Sequence, residues 1–370
     1  MQNTNFEILL VATPGLEPEL FSEVQKLQFK SPKIITGGVT IQGDWPEVWR
    51  ANLELRGCSR VLARIGEFRV SHLAQLDKLA HAFPWKKFLR HDVPVSVEAT
   101  CKKSKIYHSG AAAQRIETAL KKELGATIDK DAELAIKVRI ERDLCTISID
   151  TSGEMLHKRG HKEAVGKAPM RETLASLILV RCGYDGRETV VDPMCGSGTF
   201  VLEAAEIAAK LKPGRNRSFA FERLKSFDSV AFSEMKSKGQ TNVPAQKFYG
   251  SDRDAGAISS STANAERSGV SSFCKFSKLP ISDLTPPDGP PGLVIINPPY
   301  GTRIGDKKPL FALYGALGKT LTERFKGWRV GLITTDSSLA KATGLPFANP
   351  GKSISHGGLS VYVFQTTALI

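Results

Sequence analysis

The feature that most constrains this chain is a rhythm in its second half. Apolar runs of strand length alternate with segments of helical period. Thr189–Asp192 precedes Phe200–Lys210, Phe248–Asp252 precedes Gly256–Ser268, Leu293–Asn297 precedes Leu310–Phe325, and Val330–Thr335 follows. Continuous apolar strands separated by helices predict a parallel sheet with crossover helices. The rhythm breaks twice. Lys352–His356, Gly357-Gly358 and Leu359–Thr366 read as a terminal antiparallel hairpin. Leu211–Gln246, rich in phenylalanine and in basic residues such as Lys212, Arg215, Arg217 and Arg223, is long for a crossover. It reads as a small subdomain or as an insertion facing the substrate.

The first half reads differently. Phe6–Ala12 suits a strand, Pro18–Lys26 a helix with acids in its first turn, and Lys33–Ile41 a hairpin about Gly37-Gly38. Val93–Thr100 alternates as an edge strand, because Pro94 lacks a ladder donor. Ser109–Leu124 places Ala112, Ile116, Ala119 and Leu120 on one helical face, and Glu133–Ile140 and Leu144–Asp150 alternate as two more strands. The expectation is an α+β module with helices against an antiparallel sheet. Asp150–Lys167 has no period but holds Gly153, Gly160 and Gly166, so it reads as a linker. Its His157, Arg159 and His161 are expected to be solvated; the two histidines have metal-like spacing but no third ligand.

Charge narrows the partners. There are 51 Lys and Arg against 38 Asp and Glu, a net of +13, which favours a polyanion whose counterions are released on binding. No run approaches the ~20 apolar residues of a membrane span. The first residues lack a positively charged stretch before an apolar one, so no secretory leader is expected. The six cysteines form no CxxC pair. That pattern favours neither a structural or redox metal nor a disulfide framework, and it fits a reducing cytoplasm. No feature specifies an oligomeric state.

Three motifs carry chemistry. Asp192-Pro193-Met194-Cys195-Gly196-Ser197-Gly198-Thr199 joins a strand to a helix. Its glycines allow a sharp turn and close approach of a ligand, and the helix start offers unpaired N–H groups to a carboxylate. The sixth position of a dinucleotide fingerprint is Val201, not glycine, which argues against a dinucleotide-dependent oxidoreductase. Asp252 closes the next strand, where an acid can accept from both hydroxyls of a ribose, while Asp254 suits a helix cap. Asn297-Pro298-Pro299-Tyr300 ends a fully apolar strand. A carboxamide oxygen and the Pro298 carbonyl can take both hydrogens of an amino group, and Tyr300 offers a ring to a flipped base. Cys195 has no base beside it in the sequence and reads as a small buried residue. Arg303, Lys307 and Lys308 suit either a solvated loop or a phosphate-contacting lid.

In this order the motifs resemble the class I amino-methyltransferases, a Rossmann-like fold whose seven-stranded sheet ends in an antiparallel hairpin strand. The chain as a whole resembles the bacterial THUMP-domain RNA methyltransferases, including the guanine-N2 methyltransferases of large-subunit ribosomal RNA. The carrying residues are His157-Lys158-Arg159-Gly160-His161, Ala168-Pro169-Met170-Arg171-Glu172-Thr173-Leu174-Ala175 and Asp192–Phe200. The resemblance implies a ferredoxin-like region over 1–60, a THUMP RNA-binding domain over 61–152, a linker over 153–168 and a methyltransferase domain over 169–370. It implies S-adenosylmethionine as cofactor, without a metal. Its binding residues would be Glu172, Thr173, Asp192, Pro193, Cys195, Gly196, Gly198, Thr199, Asp252 and Asn297. Pro280 stands where the family often has an acid, which leaves Asp283 for the adenine side.

The implied partner is structured RNA, with ribosomal RNA favoured and transfer RNA the alternative, and with Lys102, Lys103, Lys105, Lys121, Lys122, Arg303 and Lys307 against its phosphates. Guanine N2 and adenine N6, in RNA or DNA, are both exocyclic amines that this tetrapeptide can serve. A non-enzymatic RNA-binding protein on the same fold would have no use for the intact Asp192, Gly196, Gly198, Asp252 and Asn297.

Overall fold

The computed structural model describes residues 5–162, 170–239, 241–300 and 308–370. It divides into two compact units. One takes in the residues up to Ala12, Leu20–Leu156 and Arg217–Gly239, and the other Thr13–Glu19, His157–Asn216 and the residues from 241 on.

The first unit is built on β1 (Phe6–Val11), β2 (Lys33–Ile35), β3 (Gly38–Gly43), β4 (Arg60–Arg69), β5 (Val95–Lys102), β6 (Leu134–Glu141) and β7 (Leu144–Asp150). The intervening helices are α1 (Glu17–Lys26), α2 (Trp45–Glu54), α3 (Leu73–Ala82) and α4 (Ser109–Ala119), which runs on into a π-helical turn over Leu120–Leu124. The strands make one seven-stranded sheet in the order β2-β3-β1-β4-β7-β6-β5. Strand β4 joins its halves, pairing with β1 through Arg60–Ala63 and with β7 through Leu62–Arg69. The sheet is not wholly antiparallel. β5 and β6 pair in parallel, because α4 returns the chain along the length of β5 before β6 begins. Pro94 lies immediately before β5, which is an edge strand.

The central part of the long insertion belongs to this first unit. Phe221 stacks on Trp49 of α2 with ring centroids 6.1 Å apart, and Phe227 and Phe232 meet Trp49 edge-on at 5.7 and 6.3 Å. Helix α7 (Ser229–Ser237) supplies Phe232. Arg217 closes the join, donating to the carbonyls of Ser152, Glu154 and Met155 over 2.7–3.1 Å. The central part of the insertion is thus not a separate subdomain. Its aromatics complete a core begun by α2, where each buried ring removes a large apolar area from water.

The second unit alternates as expected: α5 (Glu172–Arg181), β8 (Val190–Asp192), α6 (Thr199–Ala208), β9 (Phe248–Asp252), α8 (Ala255–Ser268), β10 (Cys274–Lys278), β11 (Leu293–Ile296), α9 (Lys308–Arg324), β12 (Arg329–Thr334) and α10 (Ser337–Ala342). It closes with β13 (Ile354–His356) and β14 (Leu359–Gln365). The order is β10-β9-β8-β11-β12-β14-β13. The ladders from β10 to β12 are parallel, and β14 pairs antiparallel with both β12 and β13. The direction of strand addition reverses at β8, so the crevice beyond the ends of β8 and β11 is the switch point where ligands bind in such sheets. No described helix is long and apolar enough to cross a membrane.

Arg159 and His161 are not solvated, although Lys158 between His157 and Arg159 is exposed. Arg159 and His161 are each 2% exposed. Arg159 Nε lies 3.3 Å from Glu203 of α6, and His161 Nδ1 lies 3.9 Å from Glu206 one turn on. The Arg159 charge reads as solvent-facing, but the buried Glu203 receives it, whereas burial holds the His161 imidazole below its ordinary value beside Glu206.

Candidate active site

Parallel pairing sets the site. β8 and β11 run side by side with Val191 opposite Val294, and β8 and β9 with Asp192 opposite Gly250. Asp192, Asp252 and Asn297 therefore leave three adjacent strands at the same end of the sheet. The two outer strands of such a trio stand about 10 Å apart.

The glycine turn between β8 and α6 is held from both sides. Gly196 N–H donates to Asp252 Oδ2 over 3.1 Å, Cys195 N–H to the Ser251 carbonyl over 2.9 Å, and Gly198 N–H to the Cys195 carbonyl over 2.8 Å. Gly196 and Gly198 adopt φ of +51° and +85°. A Cβ on Gly198 would lie 2.9 Å from the Ser261 Cβ, whereas a Cβ on Gly196 would meet nothing within 4 Å among the described residues. Gly198 is required by packing against α8, and Gly196 by the shape of the turn on its open side.

Asp192 is buried beside Pro193 and accepts from Met194 N–H over 3.0 Å. Burial pushes its carboxyl up to about 8, opposed by that hydrogen bond and reinforced by Asp252. Asp252 also accepts from Asp254 N–H over 3.0 Å, and Asp254 caps α8 through Gly256 N–H at 2.8 Å. Since a carboxylate has about four acceptor positions, Asp252 can still take two hydroxyls. Burial raises the Cys195 thiol, with Asp192 and Asp252 adding to the effect, so it is no nucleophile at neutral pH.

Thr199 opens α6, and Glu172 and Thr173 open α5; all three are buried. Between the two helix starts stands Lys162, which the sequence reading overlooked. Its Nζ donates to Thr199 Oγ1 at 2.8 Å and the Met170 carbonyl at 2.9 Å, and pairs with Glu172 at 3.0 Å. The only hint in the sequence was one more cation at the end of the His157–His161 run.

Asn297 lies just past the end of β11. Its Oδ1 is buried and has no hydrogen-bond partner among the described residues. A buried acceptor left so costs about 1–3 kcal/mol, which an N–H donor in the crevice would recover. The Tyr314 hydroxyl donates to the Pro299 carbonyl over 3.4 Å and so fixes the backbone behind Pro298. Tyr300 is partly buried against the core of β11, α9 and β12, and burial pushes its phenol up to about 12. Met194, Leu279 and Ile281 pack against the same core as a partly exposed apolar lining. Asp283 is exposed in the turn after β10, its carboxylate accepting from Ser282 Oγ over 3.0 Å.

The proposed RNA contacts do not form one patch. Lys102, Lys103 and Lys105 are exposed between β5 and α4, and Lys121 and Lys122 are exposed in the π turn. Roughly 22 Å of helix separates the two groups. Arg303 and Lys307 lie outside the described residues.

Comparison with known proteins matches three successive segments of the chain. Residues 7–62 match the RlmL ferredoxin-like domain, 70–150 the THUMP domain, and 159–349 the methyltransferase domain described as RMKL-like. Ribosomal RNA large subunit methyltransferase K/L of Psychromonas ingrahamii is 33% identical over 346 residues, 90% of this chain. The chain spans about half, 46%, of that curated relative's length. Among solved structures, a possible methylase from Clostridium difficile 630 is 30% identical with a TM-score of 0.90 over 99% of both chains. SMU.472, solved in complex with SAH, is 25% identical with a TM-score of 0.88 over all of both chains. With an RMKL-like match over more than half its length, behind a ferredoxin-like and a THUMP region, the chain belongs to the RMKL-like methyltransferase family.

Proposed function

We propose that this protein is an S-adenosylmethionine-dependent RNA methyltransferase that modifies an exocyclic base amine, guanine N2 of large-subunit ribosomal RNA. The observation that carries the reading is the buried Oδ1 of Asn297, unpartnered among the described residues and one strand away from the glycine turn. The residues present fit the cofactor. The open side of Gly196 admits a ligand, the start of α6 favours a carboxylate, Asp252 suits a ribose, and Met194, Leu279 and Ile281 suit an adenine face with Asp283 at its edge.

When bound, S-adenosylmethionine supplies a methyl group on a positively charged sulfur, an electrophile that needs no further activation. The chain's own contribution is then alignment. Asn297 Oδ1 and the Pro298 carbonyl accept the two amine hydrogens, which directs the nitrogen lone pair outward. Pro299 locks the turn, and the Tyr300 ring stacks on the base. Tyr300 and Cys195 both hold their protons at neutral pH, so neither is a general base. A base in a duplex cannot reach a strand tip, so the target is unpaired or flipped out. The THUMP match and the net charge of +13 support RNA, and the name of the K/L relative supports the ribosomal large subunit.

The test is to incubate the protein with unmodified large-subunit RNA and labelled cofactor, digest the RNA, and identify the nucleosides by mass spectrometry. N2-methylguanosine is expected. N6-methyladenosine would move the target to the other amine, and no methylated nucleoside from any RNA would reject the reading.

A further inference from the structure

We infer that Lys162 is a positioning residue for the amino-acid end of the cofactor: its ammonium ties the start of α6 to the start of α5, presetting one donor and one acceptor for a zwitterion. The inference rests on the cofactor reading above and adds a residue that reading does not use.

An ammonium has three N–H donors, and all three of those on Lys162 have an oxygen within 3.0 Å: Thr199 Oγ1, the Met170 carbonyl and Glu172 Oε1. Its side chain is 8% exposed. Lys162 is therefore committed to the protein and does not itself grip a ligand. Its effect falls on the two side chains it holds.

Thr199 Oγ1 accepts from Lys162, so the hydroxyl proton remains to be donated. The Met170 carbonyl is a poor taker at 3.5 Å. Thr199 is the first residue of α6, and its proton adds to the unpaired N–H groups that favour a carboxylate there. Glu172 is the reverse case. Burial raises its carboxyl, and Lys162 is the largest influence holding it down. An anionic Glu172 offers its second oxygen to an ammonium. A group that donates to a carboxylate and a group that accepts from an ammonium thus stand on either side of one nitrogen. The amino-acid end of the cofactor carries both charges at that separation of roles. A plain structural clip would need Lys162 to hold the backbone only, at Met170.

Two compounds separate these roles by calorimetry. S-adenosylhomocysteine has the amino-acid end, and 5′-methylthioadenosine lacks it. Lys162→Met is expected to weaken the first about tenfold or more, the worth of a charge-assisted hydrogen bond, and the second less than about twofold. Lys162→Arg is expected to restore most of the loss. Thr199→Val leaves the Lys162–Glu172 pair in place, and it is expected to show the same selective loss. Equal weakening of both compounds, or of neither, in Lys162→Met or in Thr199→Val would overturn the inference. A wild-type protein that binds neither compound would instead overturn the cofactor reading itself.

Discussion

Gly196 donates its N–H to Asp252 Oδ2 over 3.1 Å, so the turn after β8 and the tip of β9 are one hydrogen-bonded piece. The two glycines of that turn are constrained differently, and substitution separates them. Gly196→Ala meets no described neighbour and bears only the left-handed backbone, about 1–2 kcal/mol. Gly198→Ala adds a 2.9 Å contact with Ser261 to the same backbone cost. Urea unfolding should show the larger loss for Gly198→Ala. Calorimetry with S-adenosylhomocysteine should show lost affinity for Gly196→Ala in a protein that stays folded. Unchanged affinity would place the ligand elsewhere.

Asp192 makes stability depend on pH. Its folded carboxyl is pushed up to about 8, above the unfolded value of about 3.9, so between these the folded state holds a proton that the unfolded state lacks. That contribution is complete below the unfolded value and is lost as pH rises through about 8. Asn at this position has no proton to lose. Relative to Asp192→Asn, the unliganded wild type should lose up to about 1.4 kcal/mol per pH unit from pH 5 towards 8, and level off above. Parallel urea midpoints for the two proteins across that range would contradict it.

Phe221 is fully buried against Trp49, Phe219, Phe227 and Phe232. Phe221→Ala should destabilise the first unit by about 3–5 kcal/mol, read from urea unfolding followed by tryptophan fluorescence. A loss below about 0.5 kcal/mol, the size of a surface change, would remove the 217–239 segment from the core.

Arg159 and Glu203 are a buried pair. Removing either partner alone, by Arg159→Met or Glu203→Leu, should cost about 3–5 kcal/mol, because the remaining buried charge loses this ion-pair partner. The double variant should be more stable than either single one. Additive losses would show that the two charges are held independently.

Much of the candidate site is legible because it sits where patterns end. Each of Asp192, Asp252 and Asn297 closes an apolar run, and a parallel sheet puts such ends together. Pro94 marked the edge strand, and Gly357-Gly358 the terminal hairpin. What was not legible depends on partners distant in the chain. The parallel pairing of β5 with β6 is set by how far α4 carries the chain, not by alternation in either strand. Phe221 packs on Trp49, which is remote in sequence, so nothing near 217–239 tells which unit it joins. Arg159 and His161 read as solvated, and Lys162 passes unnoticed, because charge gives no periodic signal of burial. Their neighbours Glu203, Glu206 and Glu172 lie on α5 and α6, at positions the sequence does not tie to 157–162. The lysines chosen on α4 and its preceding loop fell at opposite ends of the helix, which charge counting does not reveal.

The central claim is that Asn297 aligns an amine rather than holding the cofactor. Asn297→Ala tests it when cofactor binding and single-turnover transfer to RNA are measured on the same preparation. The account predicts S-adenosylhomocysteine affinity within about threefold of wild type and transfer slowed about a hundredfold or more, the scale of losing one aligned polar contact in a transition state. Transfer at a near wild-type rate, or loss of cofactor affinity equal to the loss of rate, would contradict it.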